Sequence, residues 1–201
     1  MKRLLIGLIF FTCVIENQSH AQELWIFAGG SISAELQKEF GDLGGGTAIP
    51  FSIVYAKQVS PKFSWVIAPT FEAYKLILDF SGTDDVWKKT NIELPILAKY
   101  HLAGIKAISF GTGAYVGITI KSTLVSSAGD QKITNRNPYF GIPVWVEAAL
   151  GRFGLGFRTN IQLTDVSPKE YPIGNNSLFE HYENLKTTRI GFQVVLGYRI
   201  I

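Results

Sequence analysis

Hydrophobic residues recur at every second position along most of this chain, the period of a strand with two unlike faces. The pattern is plainest near the C-terminus. Thr188, Ile190, Phe192, Val194, Leu196, Tyr198 and Ile200 form one series, and Arg189, Gly191, Gln193, Val195, Gly197 and Arg199 form the other. One face is apolar and the other is mostly polar or very small. The run exceeds the roughly five or six residues of an ordinary strand. It suits a membrane-crossing barrel strand, which needs roughly nine to eleven tilted residues.

The same alternation predicts seven further strands, over residues 24–33, 48–58, 63–72, 92–102, 108–121, 139–150 and 155–164. In the first, Trp25 and Phe27 oppose Leu24, Ile26, Ala28 and Ile32, so its apolar side is ambiguous. The intervening segments alternate in length. Those at 37–47, 79–91, 126–138 and 168–185 are long and polar, whereas those at 60–62, 103–107 and 151–154 are short. Short turns at one end and long loops at the other are what an outer-membrane barrel shows. The expected fold is therefore all-β, an eight-stranded antiparallel up-and-down transmembrane β-barrel. Its even strand count puts both termini on the periplasmic side. Gly44-Gly45-Gly46 lacks the following Lys-Ser/Thr and helix of a phosphate-binding loop, so it is read as plain loop.

A two-residue turn at Arg152-Phe153 would set Ile142 against Leu163, Val144 against Ile161 and Val146 against Thr159. It would also place Glu147 directly opposite Arg158. A one-residue slip would send every side chain to the wrong face.

The chain opens with Met1-Lys2-Arg3, an apolar run from Leu4 to Ile15, and a polar stretch leading to Ala21-Gln22. This is the layout of a secretory signal peptide, with cleavage expected after Ala21 and residues 22–201 forming the barrel. Thr12 is bulky for the position before a lipidated cysteine, and Cys13 lies inside the apolar run. The segment after the cut has no cysteine, which excludes disulfides, thiolate metal sites and a cysteine nucleophile. No cofactor or metal site is expected. The whole chain carries a formal net charge of +3, and losing Lys2, Arg3 and Glu16 leaves it near neutral. That balance offers nothing to nucleic acid.

A soluble lipocalin-type barrel would alternate identically, with its apolar face inside. Two features favour the membrane. The non-apolar face is largely Gly, Ser, Thr, Ala, Tyr and Trp, a crowded interior rather than a richly charged exterior. The apolar-face aromatics Phe63, Trp65, Tyr100, Phe110 and Tyr198 also fall near one set of strand ends, as in an interfacial girdle. The inward charges then need partners, because isolated buried charge is costly. Glu72, Glu93, Glu147, Lys99, Lys121, Arg158, Arg189 and Arg199 are expected to form a structural salt-bridge network in the lumen.

The run Asn91-Ile92-Glu93-Leu94-Pro95-Ile96-Leu97-Ala98-Lys99-Tyr100, followed by Ser109-Phe110-Gly111-Thr112-Gly113-Ala114-Tyr115, resembles the hallmark strands of PorT-like outer-membrane β-barrel proteins. The closing Arg189-x-Gly191 strand fits as well, although Arg199-Ile200-Ile201 replaces the usual terminal aromatic, leaving Tyr198 to serve. The resemblance implies residence in the outer membrane of a Gram-negative cell. It also implies a non-enzymatic accessory or scaffold role in an outer-membrane assembly, since the PorT branch is associated with type IX protein secretion. The expected partners are outer-membrane lipid and other proteins of that assembly.

Two alternatives stand beside this one. A lipid A-modifying enzyme would need a His, an acid and a Ser at the external rim, where His181 lies near Glu180, Glu183 and Ser177; His101 falls at the other end. A small channel would need a bore that an eight-stranded barrel fills with side chains.

Overall fold

The computed structural model describes residues 22–37, 41–80, 83–102, 107–126, 129–132, 138–164 and 187–201. The expected signal peptide and the segment holding Ser177, Glu180, His181 and Glu183 lie outside these residues. The strands are β1 (Gln22–Gln37), β2 (Gly41–Ser60), β3 (Phe63–Ile67), β4 (Thr70–Phe80), β5 (Thr83–His101), β6 (Ile108–Ser126), β7 (Gly129–Lys132), β8 (Tyr139–Leu150), β9 (Phe153–Gln162) and β10 (Thr187–Arg199).

They form a closed antiparallel ring of eight staves. β3 and β4 share one stave, and β7 is a short arm folded back on β6. The shared stave breaks at Ala68-Pro69, because a proline nitrogen has no hydrogen to donate. Its neighbours hold across the break: Ile53 N–H donates to the Pro69 carbonyl (3.1 Å) and Ala68 N–H to the Pro95 carbonyl (3.0 Å). The ring closes where β1 pairs with β10, from Trp25↔Arg199 to Gln37↔Thr187. Two ladders are interrupted, without a change of register, beside an inward proline. The β1–β2 register passes from Ala28↔Phe51 to Ser31↔Ala48 next to Pro50, and β6–β8 passes from Thr112↔Val144 to Tyr115↔Gly141 next to Pro143.

Three expectations change. Segments 37–47 and 79–91, read as loops, are largely strand: β1 and β2 pair out to Gln37↔Gly41, and β4 and β5 to Phe80↔Thr83. Within 126–138, Ser126 ends β6 and Gly129–Lys132 form β7, paired from Ser126↔Gly129 to Thr123↔Lys132. Polar residues on both faces erase the alternation there, while the backbone pairing continues. The β8–β9 turn is Gly151-Arg152, with Leu150 opposite Phe153, so the register is two residues from the one expected. Gly151 has φ of 64° and holds the first central position of a two-residue hairpin, where a positive φ matches strand twist. A shift of two preserves every face but sets Trp145, not Glu147, directly opposite Arg158. Finally, β1 is resolved: Trp25, Phe27, Ser31 and Ser33 are buried, while Ile26 and Ile32 are exposed.

The outer wall is apolar across its middle. Ile49, Phe51, Ile53, Phe71, Ile92, Ile96, Ile118, Phe140, Phe157, Phe192, Val194 and Leu196 are all exposed, on staves right around the ring. Inside, aromatic rings lie flat over glycines of neighbouring strands. A Cβ on Gly117 would run into the Tyr139 ring, and one on Gly197 into the Phe27 ring. Gly141 bears the same relation to Tyr115, and Gly46 to Tyr74. A side chain at these positions would push a buried ring off its seat. Gly117→Ala should destabilise the barrel by about 1–3 kcal/mol through overpacking. Gly30→Ala, whose Cβ would meet nothing within 4 Å, should be neutral. Heat-modifiable migration on denaturing gels, which reports barrel unfolding, compares the two.

Candidate functional site

The barrel interior is where the chain concentrates its unusual chemistry. Successive inward residues of β5 (Trp87, Lys89, Asn91, Glu93, Pro95, Leu97) line it from the far end towards the turn end, and each level meets a matching level on neighbouring strands.

Towards the turn end, an apolar layer of Trp25, Phe27, Val54, Val66, Leu97, Trp145 and Val195 packs across the bore. Lys99, Glu147 and Arg158 form an ion cluster against it. Glu147 Oε2 accepts from Lys99 Nζ at 2.6 Å and its Oε1 accepts from Arg158 Nη2 at 2.8 Å. Arg158, only 2% exposed, also donates to Ser52 Oγ at 3.0 Å. Its guanidinium lies over Trp145 (3.8 Å to the ring centroid) and Phe27 (4.4 Å), stacking that suits the weakly hydrated cation. This cluster has two cations on one carboxylate.

The second cluster inverts that ratio. Arg189 reaches from β10 to Glu72 on β4 and Glu93 on β5, donating to each at 2.5 Å. The rest of Glu93's demand is met by Tyr139 Oη and Asn160 Nδ2, both donating at 2.9 Å. Glu72 accepts further, longer bonds from Ser31 and Gln193. One cation serves two carboxylates, so the two clusters carry opposite formal excesses within one bore. Beyond them Lys89 sits 3.6 Å above the Trp87 ring, and Trp87 Nε1 donates to Ser122 at 2.6 Å.

The residues expected in a single lumen network thus divide. Lys99, Glu147 and Arg158 meet, and so do Glu72, Glu93 and Arg189. Arg199 lies at the turn-end rim, paired with Glu23 at 3.1 Å. Lys121 is not in the lumen. A bulge carries the β5–β6 pairing from Thr90↔Lys121 to Asn91↔Thr119, and the extra residue turns Lys121 to the outer face. Sequence reasoning passed over Lys89 and Glu23. Lys89 fell in a stretch read as loop, although Trp87, Lys89, Asn91 and Glu93 continue one period-two series. Glu23 stood outside the first predicted strand.

A cavity of about 450 Å³ opens at the turn end, walled by Trp25, Lys99, His101, Glu147, Glu23 and Arg199 among others. Within it Ser64 Oγ and His101 Nε2 are 2.7 Å apart. Among the described residues, no group of three or more His, Cys, Asp or Glu side chains is placed to hold a metal ion.

No protein-family model matches the sequence, and no curated protein matches it. Solved structures do match in fold. Neisserial surface protein A (NspA) aligns with a TM-score of 0.53 at 12% identity, over 89% of this chain and 98% of that one. Ail, the attachment invasion locus protein of Yersinia pestis, aligns at 0.52 and 9% identity, over 89% and 99%. The outer membrane protein OprG from Pseudomonas aeruginosa aligns at 0.50 and 10%, over 90% and 97%. The chain has the fold of these eight-stranded outer-membrane β-barrel proteins.

The ion clusters generate an ordering of variants. Glu147→Gln leaves the buried Arg158 and the half-buried Lys99 without a carboxylate and should cost about 3–5 kcal/mol. Glu93→Gln should cost clearly less, because Arg189 keeps Glu72. Arg189→Met, which strands two carboxylates, should match Glu147→Gln in severity. Urea unfolding in detergent micelles, followed by tryptophan fluorescence, measures all three.

Proposed function

We propose that this protein resides in the outer membrane of a Gram-negative cell as a plugged, non-enzymatic barrel. It acts as an accessory or scaffold subunit of an outer-membrane assembly in secretion or envelope biogenesis. One observation carries the reading: a continuous exposed apolar wall surrounds a bore occupied by side chains and ion pairs. Such a wall exceeds the few hundred Å² of contiguous apolar surface that soluble monomers expose. A filled bore leaves the protein's outer surfaces and rims for its work.

The ends of the barrel support an orientation. The short turns at 61–62 and 151–152 lie at the same end as Gln22 and Ile201. Around that end run the exposed aromatics Phe63, Trp65, Phe110, Phe153 and Tyr198. Phe63 packs on Tyr100 and Phe153 on Tyr198, with ring centroids 5.1 and 5.7 Å apart. Short turns belong at the periplasmic boundary and an aromatic girdle at either interface, which supports a reading with both termini on the periplasmic side and the extended β-arms at the cell exterior. The finer reading, a PorT-like subunit linked to type IX secretion, rests on the 91–100 strand and the glycine-rich strand after it. The lipid A-modifying alternative asks for a histidine at the external rim. His101, the histidine among the described residues, stands at the opposite end.

Chemical crosslinking in intact cells followed by affinity purification in mild detergent should recover the barrel with a reproducible stoichiometric partner. Planar bilayers containing it should show no discrete conductance steps. A strictly monomeric barrel with no partner would contradict the scaffold role, and reproducible conductance would instead favour the channel.

A further inference from the structure

Among the described side chains, three lysines on the outer wall have no counter-charge. Lys75 on β4, Lys88 on β5 and Lys121 on β6 are exposed, and their side chains make no ion pair or hydrogen bond with the described residues. Lys75 and Lys88 are direct cross-strand partners. Their Cβ atoms therefore lie about 5 Å apart, a spacing at which like charges oppose strand pairing. Lys121 joins them from the next strand only because the bulge at Ile120-Lys121 points both residues outward. Bulges commonly re-aim a side chain in this way.

The three also share a level. Lys75 follows Phe63 of the aromatic girdle by about twelve residues along its stave, Lys88 precedes Tyr100 by about twelve, and Lys121 follows Phe110 by about eleven. At about 3.3 Å per residue and roughly 40° of tilt, each lies about 30 Å from the girdle along the barrel axis. That is about the thickness of a bilayer's hydrocarbon core. Directly beneath them the wall is apolar, with Phe71, Ile92, Leu94, Ile118 and Ile120 exposed.

We infer that Lys75, Lys88 and Lys121 form a binding site for the phosphorylated headgroup of an outer-leaflet lipid. The inference rests on the membrane reading above and deepens it by naming a lipid the wall selects. A phosphate seated among the three ammonium groups relieves the Lys75–Lys88 repulsion. The apolar residues below receive the acyl chains, which makes the ligand a lipid rather than a free anion.

The test uses the full processed chain in detergent micelles, with lipid retention read by native mass spectrometry. The probes are diphosphorylated lipid A, the same lipid with its phosphates removed, and inorganic phosphate as competitor. The wild type should retain the phosphorylated lipid selectively. Removing all three lysines (Lys75→Gln, Lys88→Gln and Lys121→Gln together) should weaken retention on the order of a hundredfold, roughly fivefold per lysine near an anionic surface. Lys62→Gln, in the exposed turn at the girdle end, should retain lipid as the wild type does. Equal retention by the triple variant, no preference for the phosphorylated lipid, or displacement by equimolar inorganic phosphate would each overturn the site. Heat-modifiability confirms that every variant is folded. Vesicle integration is scored separately, so a chain that fails to integrate refutes the membrane reading, whereas one that integrates without lipid selectivity refutes this site alone.

Discussion

Eight strands closed into a ring leave a bore about as wide as the side chains that fill it, and this narrowness governs the molecule. Every inward position must be matched to its neighbours in volume and in charge, with little water to absorb an error. Volume is matched by laying Phe27, Tyr139, Tyr115 and Tyr74 across Gly197, Gly117, Gly141 and Gly46. Charge is matched by giving each buried carboxylate an arginine or lysine: Glu147 takes Lys99 and Arg158, while Glu72 and Glu93 share Arg189. Buried pairs of this kind gain little net stability, because desolvation offsets the attraction, but losing one partner is severe. Their value here is in locking opposite walls together. Arg189 ties β10 to β4 and β5, and Arg158 ties β9 to Ser52 on β2.

That internal lock frees the outer wall to answer to a different solvent. Residues such as Ile49, Phe192 and Leu196 gain nothing from the core and would be a liability in water. In a bilayer they are the required complement to a backbone satisfied by its own ring. The wall changes character only at its ends, with aromatic pairs at the turn end and Lys75, Lys88 and Lys121 at the other.

Much of this was legible in the sequence, and what was not has a common cause. Alternation along 188–200 or 139–150 fixes which residue faces which way, because a lipid-facing side and a packed side differ sharply in polarity. The prediction of strands, count and faces follows from that contrast. Where both sides meet water or polar neighbours, as at 79–91, the contrast vanishes, so strand is read as loop and Lys89 escapes notice. Register is harder still. Moving the turn from Arg152-Phe153 to Gly151-Arg152 shifts pairing by two residues without disturbing any face, so apolar matching does not discriminate between them. The conformational freedom of Gly151 does. Lys121 shows the remaining weakness: one bulged residue reverses the facing of everything beyond it, and no hydropathy pattern announces it.

Even-numbered residues of the closing strand face lipid while odd-numbered ones face a packed interior. Residues 22–201 contain no cysteine, so single cysteines carrying spin labels at positions 192 to 196 can be compared in reconstituted vesicles by their collision with oxygen and with a water-soluble nickel chelate. Oxygen accessibility should be high and nickel accessibility low at 192, 194 and 196, with immobile labels shielded from both at 193 and 195. High nickel accessibility at the even positions would mean that this wall faces water and not lipid.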